Sequence, residues 1–305
     1  MKNEYYPSVL FFVLLYFTNQ AIGQTTNRVL GYFPANTTLY GNVPYAKDTS
    51  KHHLLDIYLP ANAKPNTPLV VWIHGGAWML NDKYADMSYM KNTIRTIVEN
   101  GYALASIDYR YSTQAIFPAQ IQDCNQAIEF LYQNAEKYSL DKNRIVLVGF
   151  SAGGHLASLL ALSHNNKVKD FYAKDNKVSF KIKGVIDFYG PSDFLAIPKN
   201  LEPAGAVKTS ESILLGATPL QRPDLAKWAS PVTYVDKNDS PFLIIHGEKD
   251  QSVPYSQSVL LSSWLKLSGI ENQVFIVKDA PHYGEMFDAE YLRKEIIDFL
   301  NKHLK

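Results

Sequence analysis

Short, nearly unbroken apolar runs constrain the fold of this chain more than any other feature. Leu69-Val70-Val71-Trp72-Ile73 is the clearest, and Tyr102 to Ile107, Ile145 to Val148 and Phe242 to Ile245 are alike. A half-buried strand alternates apolar with polar residues, whereas a strand covered on both faces reads as one apolar stretch. Ile182 to Phe188 and Val274 to Val277 are expected to be further strands of this kind. Leu54 to Leu59, and Leu39 to Tyr45 with its Gly41 and Pro44, suit an antiparallel edge at the start of the sheet. Helical spacing fills the gaps. Ile121, Cys124, Ile128 and Leu131 recur at three and four after Pro118, Leu156, Leu159 and Leu160 follow Gly154, and Leu292, Ile296 and Phe299 mark the last helix. Strands alternating with helices predict an α/β fold, a mostly parallel eight-stranded sheet with helices on both faces. Chemistry then belongs in the loops at the carboxyl ends of the strands.

A chain of 305 residues with 46% hydrophobic and 19% charged residues is long enough for a large core without staples. Its net charge of +1 gives no field that would gather nucleic acid. Cys124 is the single cysteine, so no internal disulfide forms, and its place on a helical stripe predicts a buried small hydrophobe. At the start, Lys2 precedes the apolar run Val9 to Phe17, and Ala21-Ile22-Gly23 follows. The run is shorter than the ~20 residues of a membrane span. It reads as a signal peptide over residues 1–23, cut after Gly23. The mature domain, 24–305, is expected to be exported, periplasmic or secreted, with no integral membrane segment. Nothing in the sequence sets an oligomeric state.

The most reactive pattern is Gly149-Phe150-Ser151-Ala152-Gly153-Gly154, placed between an apolar run and a helix. This G-x-S-x-G turn is sharp enough to need glycine two residues either side of Ser151, which it lifts to the top of the sheet as a nucleophile. A serine hydroxyl needs a histidine base and an acid to orient it, in the chain order Ser, acid, His. Of the eight histidines, His52, His53 and His74 precede Ser151, His155 and His164 belong to the helix behind it, and His303 lies at the chain end. His246 ends a strand just before the acids. His282, in the loop after Val274 to Val277, stands where a base is needed. For the acid, Asp250 follows the strand Phe242 to Ile245, which Gly247 is expected to end. Glu248 is nearer the strand, and Asp279 is too close to His282 in sequence. An oxyanion hole is expected from the N–H groups of Ala152 and of the paired Gly75 and Gly76 in His74-Gly75-Gly76-Ala77-Trp78. His74 reads as a scaffold for that loop. Trp78 and Tyr283 are candidates for substrate contact, with core packing an equal reading for Trp78.

Together His74 to Trp78, Gly149 to Gly154, Asp250 and His282 resemble the α/β-hydrolase superfamily. More narrowly, H-G-G-x-W with G-F-S-A-G-G resembles bacterial esterases grouped with acetyl-xylan and feruloyl esterases, distant relatives of the hormone-sensitive lipase and kynurenine formamidase groups. Asp108 to Tyr111, Tyr189 to Asp193 and Ala229 to Pro231 also look like segments of that family. Phe150 replaces the acid of the hormone-sensitive lipase group, and Tyr283 stands where relatives have glycine. The resemblance implies a secreted serine esterase working through an acyl-enzyme on short or aromatic acyl esters of carbohydrates or small alcohols. A peptidase of the prolyl oligopeptidase type and a non-catalytic binding protein on the same fold are the alternatives. Residues 192–230, interrupted by Pro198, Pro203, Pro219 and Pro223, are expected to form a small irregular cap. No metal or other cofactor is expected, since adjacent His52 and His53 would point to opposite faces of a strand.

Overall fold

A computed structural model describes residues 28–173, 179–198 and 209–305. The expected signal peptide and the stretch Leu201 to Ala206 of the expected cap lie outside the described residues. The chain opens with β1 (Thr38–Pro44), β2 (Leu54–Leu59) and β3 (Thr67–Ile73), then α1 (Lys91–Glu99), β4 (Ala103–Ile107), α2 (Ala119–Gln133) and β5 (Leu140–Phe150). It continues with α3 (Ala152–Ser163), β6 (Ile182–Phe188), the short helices α4 (Ser210–Leu215) and α5 (Pro223–Ala229), and β7 (Phe242–Gly247). It closes with α6 (Ser256–Leu267), β8 (Asn272–Val277) and α7 (Glu290–Leu304).

The eight strands form one sheet in the order β1-β2-β4-β3-β5-β6-β7-β8. β1 and β2, and β2 and β4, pair antiparallel, while every later pairing is parallel. This is the architecture the hydrolase resemblance implies. Side chains along a strand point alternately to the two faces, and here both faces are dry. Leu69, Val71, Ile73 and Leu147 enter a core that includes residues of α2 and α3. Val70, Trp72, Val146 and Val148 enter the opposite one, with residues of α1 and α7. Each apolar run therefore serves two cores at once, which is why it lacks polar alternation.

The order of the central strands fixes where a site can open. β4 lies on one side of β3 and β5 on the other, so the winding reverses there and leaves a crevice at the carboxyl ends of β3 and β5. Ile73 pairs with Gly149, which puts the His74 loop beside the Ser151 turn.

Gly247 ends β7 as expected, and it is the last paired residue, opposite Val277. A Cβ there would collide with the carbonyls of Ala280 and Pro281, so the glycine lets the loop after β8 cross the strand end. Within the expected cap, Pro223 occupies the first turn of α5, where a missing N–H costs nothing.

Candidate active site

Ser151 sits between the last residue of β5 and the first of α3 with φ 52° and ψ −115°. That conformation is strained for a residue with a Cβ. The turn is held by the Ser151 N–H donating to the Phe188 carbonyl at 2.8 Å. A Cβ on Gly149 would strike the Gly153 carbonyl, and one on Gly153 would strike the carbonyls of Ile73 and His74. The two glycines thus let strand, turn and neighbouring loop close onto one point.

His282 joins that point from the loop after β8. Its Nε2 lies 2.8 Å from Ser151 Oγ, and its Nδ1 lies 2.5 Å from Asp250 Oδ2. Because Nδ1 faces a carboxylate, it carries the proton, and Nε2 is left to accept from the serine hydroxyl. The Asp250 side chain is fully buried. Its Oδ1 accepts the N–H groups of Ser252 and Val253 at 2.8 and 2.9 Å. Burial opposes its charge, but hydrogen bonds from His246 and His282, the nearby His282 imidazole and the Val253 N–H outweigh that and hold its carboxyl well below the usual range.

His246 is a residue that the sequence reading set aside. It is buried, with Nε2 3.1 Å from Asp250 Oδ2 and 2.9 Å from the Val253 carbonyl, and Nδ1 2.7 Å from Ser258 Oγ. Two acceptors at Nε2 place the proton there, so Ser258 donates to Nδ1. His246 therefore clamps the same carboxylate oxygen that faces His282. The available signal was its position at the end of β7, four residues before Asp250. The other two acids point elsewhere. Glu248 accepts the Asp279 N–H at 3.0 Å, and Asp279 pairs with Lys249 at 2.5 Å.

The glycine loop divides its labour, which corrects the expectation that both glycines offer N–H groups. The Gly75 N–H is already donated to Asp86 Oδ2 at 2.8 Å. A Cβ at Gly75 would meet the Phe150 carbonyl at 2.9 Å and Ser151 Cβ at 3.5 Å, so this glycine permits close approach to the serine. Gly76, at φ 121°, lies where a Cβ would collide with the Leu80 carbonyl. Its N–H, with that of Ala152 at the first position of α3, has no acceptor among the described residues. Asp86 Oδ1 accepts the Tyr89 hydroxyl at 2.5 Å, and Tyr89 meets the Tyr189 hydroxyl at 2.9 Å. Burial pushes the Asp86 carboxyl up, against the pull of those donors. The Tyr189 ring stands 4.8 Å from that of His282, so one chain of contacts joins the glycine loop to the imidazole.

His74 is wholly buried, stacked on Tyr109 at 4.3 Å, with Nδ1 2.7 Å from the Gly75 carbonyl, a scaffold as expected. Trp78 is only 2% exposed. Its indole N–H donates to His155 Nδ1 at 3.1 Å, and His155 Nε2 lies 2.7 Å from the Ala229 carbonyl. Burial lowers His155 to about 4, so the ring is neutral and fits both bonds. Trp78 thus ties the glycine loop to α3 and α5, and it also lines the catalytic cleft. Tyr283 is exposed on the rim of the cleft. The cleft holds about 620 Å3 and has Ser151, His282, Gly75, Gly76 and Asp86 in its wall. Among the described residues, no three His, Cys, Asp or Glu side chains are grouped to hold a metal ion.

The sequence model of the BD-FAE family matches residues 55–265. Esterase LipQ of Mycobacterium tuberculosis (strain ATCC 25618 / H37Rv) is 33% identical over 85% of this chain and 61% of its own length. The chain thus spans about three fifths of that relative. A truncated form of a carbohydrate esterase from gut microbiota superposes with a TM-score of 0.80 at 33% identity, over 89% of this chain and 98% of the other. A bifunctional GH43-CE protein of Bacteroides eggerthii superposes with a TM-score of 0.79 at 35% identity, over 88% of this chain and 35% of the other.

Proposed function

The chain belongs to the BD-FAE family of α/β-hydrolases, and from that premise we propose that it is an exported serine carboxylic-ester hydrolase that removes short or aromatic acyl groups from carbohydrate or small esters. The observation that carries this reading is the unbroken line Ser151 Oγ, His282 Nε2, His282 Nδ1, Asp250 Oδ2, with steps of 2.8 and 2.5 Å across the ring. The names of LipQ and of the gut carbohydrate esterase agree with it.

In this mechanism Ser151 Oγ attacks the ester carbonyl while His282 Nε2 takes its proton. The carbonyl oxygen becomes an oxyanion, and the N–H groups of Gly76 and Ala152 hold it at the N-terminus of α3. The imidazolium, braced by the Asp250 carboxylate, returns the proton to the leaving alkoxide, and an acyl-serine remains. Water then attacks the acyl group with His282 as base, and Ser151 is released with the free acid.

The direct test is hydrolysis of p-nitrophenyl acetate, butyrate and octanoate beside methyl ferulate. Turnover of the acetate or of the ferulate above that of the octanoate is expected. Failure on all four esters overturns the reading. The pH profile gives a second check. Asp250 stays ionised through the acid range, so only the imidazole has to lose a proton before catalysis. On the acid side log kcat/KM should rise with a slope of about one and then level off. A slope near two, or a flat profile, contradicts the assignment of His282 as the base. Export is tested by the N-terminal sequence of the protein recovered outside the cytoplasm of a bacterial host. It should begin at Gln24, and retention in the cytoplasm with Lys2 intact refutes it.

A further inference from the structure

A second hollow adjoins the catalytic cleft. It holds about 600 Å3 and shares Asn81, Ala85 and Ser88 with the cleft as a common rim. Its remaining walls include Tyr32, Tyr84 and Tyr111, with Arg28 and Asp82 beside them. None of these residues takes part in the acyl-transfer steps above.

We propose that this hollow is a glycosyl subsite, which holds a sugar unit of the alcohol part of the substrate next to the unit that carries the ester. The proposal rests on the hydrolase reading and extends it.

The wall chemistry selects the ligand. A sugar ring has C–H faces that pack against aromatic rings and a rim of hydroxyls that both donate and accept hydrogen bonds. Tyrosine offers an apolar body with a polar tip, and Asn81, Asp82 and Ser88 supply further polar groups. Charge argues against an anionic ligand. Arg28 is the only cation among the described lining residues, and Asp82 already holds it through contacts of 2.6 and 2.8 Å. An alkyl chain would strip water from the same carboxylate, amide and hydroxyl groups without replacing their hydrogen bonds.

The rings are also held in place before any ligand arrives. Tyr84 packs against the Arg28 guanidinium at 4.9 Å and the Lys83 ammonium at 4.7 Å. Tyr111 donates its hydroxyl to the Asn81 carbonyl and lies 4.2 Å from the His52 ring. Tyr32 has the Lys91 ammonium 5.1 Å from its centroid. Side chains already fixed lose little freedom on binding, which favours affinity. Position completes the argument. The acyl and alcohol parts of an ester leave the carbonyl on different sides, and the shared residues Asn81, Ala85 and Ser88 set the hollow directly beside the cleft that holds Ser151.

The test compares acetylated xylotriose, acetylated xylose and p-nitrophenyl acetate on the wild-type protein and on Tyr32→Ala, whose side chain lies outside the catalytic cleft. Wild type should favour the trisaccharide ester over the monosaccharide ester in kcat/KM. In Tyr32→Ala the ratio of kcat/KM on acetylated xylotriose to that on p-nitrophenyl acetate should fall about tenfold, the effect of losing one aromatic anchor, and mainly through KM. Equal kcat/KM on the two sugar esters, or an unchanged ratio in the variant, overturns the subsite and leaves ester hydrolysis standing. Absence of turnover by the wild type on all of these esters, as on the four of the ester panel above, overturns the hydrolase reading instead. Should Tyr32→Ala fail to fold, calorimetric titration of unacetylated xylotriose into Ser151→Ala decides: saturable binding supports the subsite, and no binding at millimolar sugar refutes it.

Discussion

Ser151→Ala should lower kcat on p-nitrophenyl acetate by roughly 10⁴- to 10⁶-fold, the range in which loss of a serine nucleophile falls. Such a loss follows from geometry, because no other hydroxyl is hydrogen-bonded to His282 Nε2 among the described residues. The fold should survive. Alanine at φ 52° carries the same backbone strain as serine, so the melting temperature should stay close to that of the wild type. Ser151→Gly separates strain from chemistry. It should be as inactive as the alanine variant, yet more stable by about 1 kcal/mol, since glycine occupies the left-handed region freely. Any gain reports that the turn holds Ser151 in a costly conformation. A variant that kept a tenth of the wild-type rate would dismiss Ser151 as the nucleophile.

Asp250→Asn should cost about 10⁴-fold in kcat, because an amide can offer its N–H to His282 Nδ1 and so stabilise the wrong tautomer. Glu248→Gln should change kcat by less than about threefold, the scale of a single surface substitution. Both acids follow β7, and the packing separates them. Asp250 turns inward beneath His246 and His282, with its second oxygen capped by two backbone N–H groups. Glu248 turns outward and accepts the N–H of Asp279. Measured side by side, a larger loss in the Glu248 variant would contradict the arrangement of the acid.

Much of this was legible in the sequence because the signals were local. The runs at Leu69 and Ile145 betray strands that feed two cores, and the Ser151 turn announces itself by glycines that steric overlap demands. Chain order brings His282 and Asp250 forward, and the structure places His282 against Ser151 and Asp250 against His282. What escaped depends on contacts between distant segments. Gly247 ends β7 as its sequence suggests, but its second role, in letting the loop from β8 pass over it, is set by a distant segment. The pair at Gly75 and Gly76 looked equivalent until Asp86, eleven residues on, claimed one N–H. Nothing local to His246 tells that its Nε2 meets the oxygen facing His282. Trp78, which the sequence divides equally between pocket and core, is buried with a bond to His155 and lines the cleft as well.

The central claim is that Ser151 becomes acylated, and covalent capture tests it most directly. The protein is treated with a short-chain p-nitrophenyl alkylphosphonate, then digested and mapped by mass spectrometry. The account predicts one adduct per chain, on Ser151, appearing in step with loss of esterase activity and absent from Ser151→Ala. Inactivation with the adduct on another residue, or full activity in a protein labelled at Ser151, would contradict it.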